Sequence, residues 1–425
     1  MAVVIAVLVV VVGVLVSIAL HEVGHMVPAK LFGVRVSQYM VGFGPTLWSR
    51  TRGETEYGLK AIPAGGYVRL VGMYAPAPEG HRPRKGWFGE MTSAAREASA
   101  EEILPGQESR AFYRLSAPKK VVVMLGGPVM NLVIAFVLTL IALTAIGVQT
   151  PTTTVGTVPA CVPTSSDGVC RAGDPAAPSS AAGLRAGDTV LSYGGTAVTS
   201  WDELADAIAH GGTDATTLVV ERDGHDVTLD VTPAERKAQT TADDGTVTTT
   251  TVPYVGIEPT FAREHQSPAT AASQTWDITT QTVGLVAQLP VKVVDVARAT
   301  FGDEPRSADS VMSVVGVGRV AVDVAGADQA SVIARVQAML LLLASLNVAL
   351  FVFNLIPLVP LDGGHVVGAL YEGAKRTVAR VRRLPRPGPA DTARMMPVAY
   401  AMFGLLTVMG VLLIYADIVD PVRLT

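Results

Sequence analysis

The chain has 425 residues, of which 49% are hydrophobic and 16% charged, with a mean hydropathy of +0.39 and a net charge of −4. That is more apolar than an ordinary soluble protein, and it points to the membrane class. The charge is too small and too evenly spread for a nucleic-acid partner, and two cysteines, Cys161 and Cys170, exclude a four-cysteine zinc site or an iron–sulfur cluster.

Four apolar segments are long enough to cross about 30 Å of hydrocarbon. The first, Ala2 to His25, has no basic flank and no small-residue cleavage site, so it reads as a retained span rather than a signal peptide. Its end carries the stretch HEVGH. On a helix His21 and His25 lie four positions apart and project from nearly one face, with Glu22 beside them to reach a metal-bound water. That is the HExxH zinc arrangement; a polar cluster bonded to its neighbours is the alternative. Each ionisable group in a span costs about 2.5–3.5 kcal/mol on insertion scales. Zinc held by protein ligands returns about 10–16 kcal/mol in peptide systems, so a metal compensates adequately.

Residues 34–70 alternate in polarity and carry glycine at probable bends such as "VGFGP" and "PAGGY". They predict a small sheet dipping into the membrane, where non-helical backbone is tolerated only under protein or beside water. Residues 74–108, rich in Pro, Gly and charge, predict a flexible loop. The second span is Val121 to Val148. Beyond it, strand-like runs flank a short helix entered at Ser200, with Trp201, Leu204 and Ile208 on one face, expected as core. The Thr- and Asp-rich stretch 237–251 predicts a second flexible loop, and 261–335 a linker to the third span.

The third span, Val336 to Phe353, leads into "FNLIPLVPLDGGHVVG", where Pro357 and Pro360 remove two backbone donors and leave Asp362 in need of a partner. The fourth runs from Pro397 to Ile418. Four spans put both termini on one side. Fourteen of the 33 Lys and Arg lie between the first two spans and seven between the last two, against eleven in the longer segment 149–335. The positive-inside rule therefore places that segment and both termini outside, and HEVGH and Asp362 toward the cytoplasmic face. The basic run Lys375 to Pro389 is expected as a solvated face meeting anionic lipid. Outside the cytoplasm Cys161 and Cys170 are expected either as a local disulfide or as two free thiols.

The external segment resembles a bacterial PDZ domain, with Gly183, Leu184, Gly187 and Asp188 matching that family's turn before a strand. HEVGH, GGPVMN (Gly126 to Asn131) and NLIPLVPLDGGH (Asn354 to His365), in this order around a PDZ-like segment, resemble the site-2 protease family over essentially the whole chain. The resemblance implies a mainly α membrane protein: a four-span metalloprotease core with a membrane-dipping β-sheet and an extracytoplasmic PDZ (α+β) domain. Residues 1–148 and 336–425 would be the two halves of that core, and 149–260 the PDZ domain. It implies Zn2+ on His21, His25 and Asp362, Glu22 as general base, and Asn354 touching the substrate backbone or the developing oxyanion. Asn131 is expected to pack between spans through a hydrogen bond, and His365 to support the site without ligating.

The implied activity is zinc-dependent cleavage of transmembrane segments in the cell membrane. Its substrates would be single-span proteins of the anti-sigma-factor type, first cut outside by a site-1-type protease, with the single PDZ domain excluding uncut ectodomains. One competing reading is a non-enzymatic PDZ-bearing receptor with structural zinc, whose ligand binding would survive zinc removal. Another is a metal transporter, which would need polar positions spread through the spans rather than gathered at one depth.

Overall fold

The computed structural model describes residues 2–76, 86–162, 170–171, 174–241, 247–302, 310–326, 331–385 and 387–419. In chain order these form α1 (Ala2–Leu31), β1 (Val36–Arg52), β2 (Thr55–Leu70), α2 (Trp87–Glu101), α3 (Ala117–Leu140), β3 (Val148–Thr157), α4 (Pro178–Ala181), β4 (Thr189–Tyr193) and β5 (Thr196–Ala197). There follow α5 (Trp201–His210), β6 (Thr216–Arg222), β7 (His225–Val231), β8 (Ala234–Thr241), β9 (Val247–Tyr254) and β10 (Glu258–Glu264). The chain ends with α6 (Pro268–Ala287), α7 (Leu289–Phe301), α8 (Val314–Gly326), α9 (Val332–Asn354), α10 (Asp362–Val381) and α11 (Met396–Val419). Two units result: residues 1–146 with 267–425, and residues 147–266.

In the first unit four helical segments are long and apolar enough to cross a membrane: Val7–Leu31, Ala117–Ile146, Val332–Asn354 and Thr392–Val419. The chain is a multi-pass membrane protein. Span ends differ from the sequence reading. The first helix continues past His25 to Leu31, and the second closes in a π-helical turn, Ile141–Ile146, so Val148 belongs to a strand instead. Large side chains such as Val4, Leu8, Phe403 and Val408 stay exposed on these helices, as hydrocarbon-facing residues do.

The helices α1 and α3 approach each other closely. A Cβ on Gly24 would overlap the Gly126 carbonyl, and a Cβ on Gly126 would overlap the Gly24 carbonyl. Small residues let two spans approach this closely. Pro28 contributes, because it lacks the N–H that would otherwise bond the Gly24 carbonyl, which faces Gly126 instead.

The expected sheet at 34–70 is present and curls more than two strands suggest. Residues 36–41 pair with 66–70 on one side and 56–59 on the other, while 46–52 cover the far side of 55–60. Segment 66–70 is thus an edge. Val34, Val36 and Leu70 join Ala29 of α1 and Val123 of α3 in one core, whereas Phe43, Leu47, Trp48, Leu59 and Ile62 at the far end stay exposed.

Three stretches expected as irregular carry regular structure. The loop 74–108 contains α2; its residues 77–85 lie outside the described residues. Alternating Thr, a residue that suits a pleated strand, pairs 234–241 with 247–254 as a hairpin, with 242–246 outside the described residues. The linker 261–335 folds into α6, α7 and α8, the first capped by the Ser267 hydroxyl, which accepts from the Thr270 N–H. Apolar faces bury these helices, as with Val296 against Leu413 and Ala416, and Ala321 against Val10 and Met339.

The second unit packs α5 against a sheet in the order β10-β3-β4-β6-β7. Ser200 caps α5, Leu204 is fully buried, and Trp201 and Ile208 pack on the same core. Gly183 and Gly187 adopt positive φ, which glycine tolerates, and Asp188 takes two hydrogen bonds from Arg222. Of the two expectations for the cysteines, the disulfide Cys161–Cys170 is the one formed.

Candidate active site

His21, Glu22 and His25 lie on the last turns of α1, and Asp362 is the first residue of α10. The glycines after Asp362 set its position. A Cβ on Gly363 would overlap the Leu355 and Ile356 carbonyls, and one on Gly364 the Val359 nitrogen, so α10 starts directly on the turn that follows α9. This turn, Leu355 to Leu361, carries the two prolines that stop α9.

His25 Nε2 lies 3.2 Å from His21 Nε2, and Asp362 Oδ2 lies 3.4 Å from the first histidine and 3.3 Å from the second. Zinc bonds of about 2.0–2.2 Å in a tetrahedron place ligand atoms about 3.3–3.6 Å apart. The three atoms fit one zinc ion. Asp362 Oδ2 is buried without a hydrogen-bond donor, and the His25 side chain is only 6% exposed, so a cation is the partner this carboxylate lacks.

The other ring nitrogens are also held. His25 Nδ1 is 2.8 Å from the Val123 carbonyl of α3; a carbonyl only accepts, so Nδ1 carries the hydrogen and Nε2 keeps its lone pair. His21 Nδ1 meets the Asn131 amide of α3 at 3.0 Å, while Asn131 Oδ1 is buried without a partner. Turning that amide by half a revolution makes Oδ1 the acceptor of Nδ1–H and frees His21 Nε2 for a metal. Both rings are therefore oriented from α3.

Gly127 makes room for them. A Cβ there would lie 2.7 Å from His21 Nε2 and closer still to His25 Nε2. Gly127→Ala is expected to push the rings apart and cost most of the bound zinc, read by metal analysis of the purified chain; wild-type zinc content would contradict this.

Glu22 runs past the edge segment of β2, where a Cβ on Gly66 would lie 3.3 Å from Glu22 Cγ. From β1, Tyr39 donates to the Ala19 carbonyl at 2.8 Å, and burial first and the Glu22 charge second push its pKa up to about 12. The sheet is thereby fastened to the helix that bears the motif.

The model of peptidase family M50 matches residues 9–384. Zinc metalloprotease Rip1 of Mycobacterium tuberculosis is 33% identical, over 97% of this chain and 96% of the relative. Rip1 of Mycolicibacterium smegmatis is 32% identical over the same shares, and metalloprotease MmpA of Caulobacter vibrioides 28% over 85% of each chain. The chain belongs to peptidase family M50.

As an M50 member, a site-2 protease, it is a zinc metalloprotease. Asn354 is the last residue of α9 rather than part of the unwound stretch, and its side chain makes no hydrogen bond to His21, His25 or Asp362. His365 lies in the first turn of α10, 6.5 Å ring to ring from Tyr74, outside the group of three. Burial lowers its pKa. Asn131 makes the expected hydrogen bond between spans, with His21 as its partner; residue patterns gave no sign of that partner or of the Val123 carbonyl behind His25. The run GGPVMN contains Asn131 but not Val123, and the packed helices show which atoms meet.

Proposed function

We propose that the chain cleaves the transmembrane segments of single-span membrane proteins, with zinc held by His21, His25 and Asp362. One observation carries this reading: two imidazole nitrogens near the end of a helix apolar enough to span a bilayer stand at zinc-ligand spacing from a carboxylate oxygen at the start of α10. Zinc held there would supply Lewis acidity toward a peptide carbonyl and would bring the acidity of a bound water toward neutral pH. Glu22 takes that proton and returns it to the leaving amine. Asn131 and the Val123 carbonyl fix the imidazole tautomers, and Asn354 meets the substrate backbone.

A helical substrate hides its carbonyls in hydrogen bonds, so the span has to unwind locally. Its freed groups can pair with the β2 edge at 66–70, which runs past Glu22. The exposed apolar tip around Leu47 and Trp48 suits a sheet dipping into lipid. The excess of Lys and Arg in the loops flanking the site supports a position toward the cytoplasm. The strand order and the Gly183–Asp188 turn of the second unit support a PDZ-like domain. Substrates of the anti-sigma-factor type, trimmed outside by another protease, fit a site at this depth.

A single-span peptide reconstituted with the purified chain in liposomes tests the reading. Mass spectrometry should place the cut inside the span, and each Gly→Leu change near it should slow cleavage about fivefold, because unwinding becomes harder. Cutting in the aqueous flanks, at a rate blind to such changes, would contradict it.

A further inference from the structure

Along α10, Val367, Leu370, Tyr371, Val378 and Val381 are 47–77% exposed and, at helical periodicity, fall on one apolar face open to the surroundings. Lys375, Arg376, Arg380, Arg382 and Arg383 accompany it. A basic amphipathic helix of this kind lies in the plane of the membrane interface. Between it and the start of α3 is a cleft of 680 Å³ lined by Val121, Val122, Leu370, Ala374, Arg376 and Arg380.

The two ends of the cleft differ in chemistry. At the polar end Arg376 lines the cleft and pairs at 2.7 Å with one oxygen of Glu372, which is fully buried behind it and takes Lys120 on the other oxygen at 2.7 Å, so one carboxylate faces two cations. Arg376 Nε is buried without a partner, and Arg380 has no ion pair among the described residues. Nearby, α3 begins at Ser116 with no side-chain cap and with proline in its first turn, leaving first-turn N–H groups open. At the other end Val122 and Leu370 are 49% and 57% exposed.

We propose that this cleft binds one anionic phospholipid, its phosphodiester between Arg376, Arg380 and the start of α3, and its acyl chain along Val121, Val122 and Leu370. A phosphodiester offers acceptors to the guanidinium groups and negative charge to the positive end of α3. Free phosphate leaves the apolar end wet, and a zwitterionic headgroup brings a cation to a site already in positive excess. Arg376 stands fourteen residues, about 20 Å, along the helix from Asp362, so the site is separate from the catalytic one. The lipid would press against α3 the helix that starts with Asp362.

Native mass spectrometry of the full chain tests this, in micelles doped with dioleoyl-phosphatidylglycerol or dioleoyl-phosphatidylcholine. One phosphatidylglycerol per chain should remain bound, about tenfold more often than phosphatidylcholine. Arg380→Glu should reduce retention to the phosphatidylcholine level, and Ala374→Trp, which fills the cleft from an exposed position, should abolish it. Zinc content should stay unchanged in both variants. Equal retention of the two lipids would overturn the proposal, as would phosphatidylglycerol binding untouched by both substitutions or displaced by inorganic phosphate alone.

Discussion

Glu22→Gln is expected to lower cleavage of a membrane-embedded substrate about 10²- to 10⁴-fold while leaving zinc content and fold as in the wild type. The amide has nearly the shape of the carboxylate, so packing against Gly66 is kept, but it cannot accept a proton. Because Glu22 is not among the three atoms that converge at ligand spacing, its loss should not release metal. Activity and metal content, measured on one preparation, separate a proton carrier from a ligand. Undiminished turnover would remove Glu22 from the chemistry, and loss of zinc would make it a ligand.

Asp362→Ala has a different signature. It removes one of three protein ligands and leaves two imidazole nitrogens 3.2 Å apart, with nothing to draw them onto an ion. If each ligand contributes about a third of the binding free energy of a structural zinc, roughly 4 kcal/mol is lost, close to a thousandfold in affinity. Both zinc and activity should therefore vanish at ordinary metal concentrations, and excess zinc should restore little. His365→Ala is the matched control three residues on, expected to keep zinc, because its ring lies outside the group of three. Retained zinc in Asp362→Ala would require a different third ligand.

The residues of the candidate site could be read from the chain because helix geometry is local. The spacing of His21 and His25 fixes their relative direction, and an aspartate between prolines and glycines at the end of an apolar run is conspicuous. The number of spans and the sheet at 34–70 were legible for the same reason, since both follow from periodicity over short windows. Asn131 was legible as a hydrogen bond between spans but its partner His21 was not, because that bond crosses 110 positions and depends on how closely α3 meets α1. Gly24 and Gly126 permit that approach, but a glycine in a sequence says only that something close is allowed. The helices at 268–326 and the hairpin at 234–254 were missed because Thr-, Gly- and Ala-rich stretches have weak intrinsic preferences. Burial of Val296 and Ala321 against the spans decides the helical cases.

The central claim is that one zinc ion is gripped jointly by α1 and the start of α10. Zinc-edge X-ray absorption on the purified chain, with metal counted in the same sample, tests it most directly. Close to one zinc per chain is expected, in a shell of two imidazole nitrogens and at least one carboxylate oxygen, with that shell lost in Asp362→Ala. A metal-free protein prepared without chelators, or a zinc shell unchanged by that substitution, would contradict it.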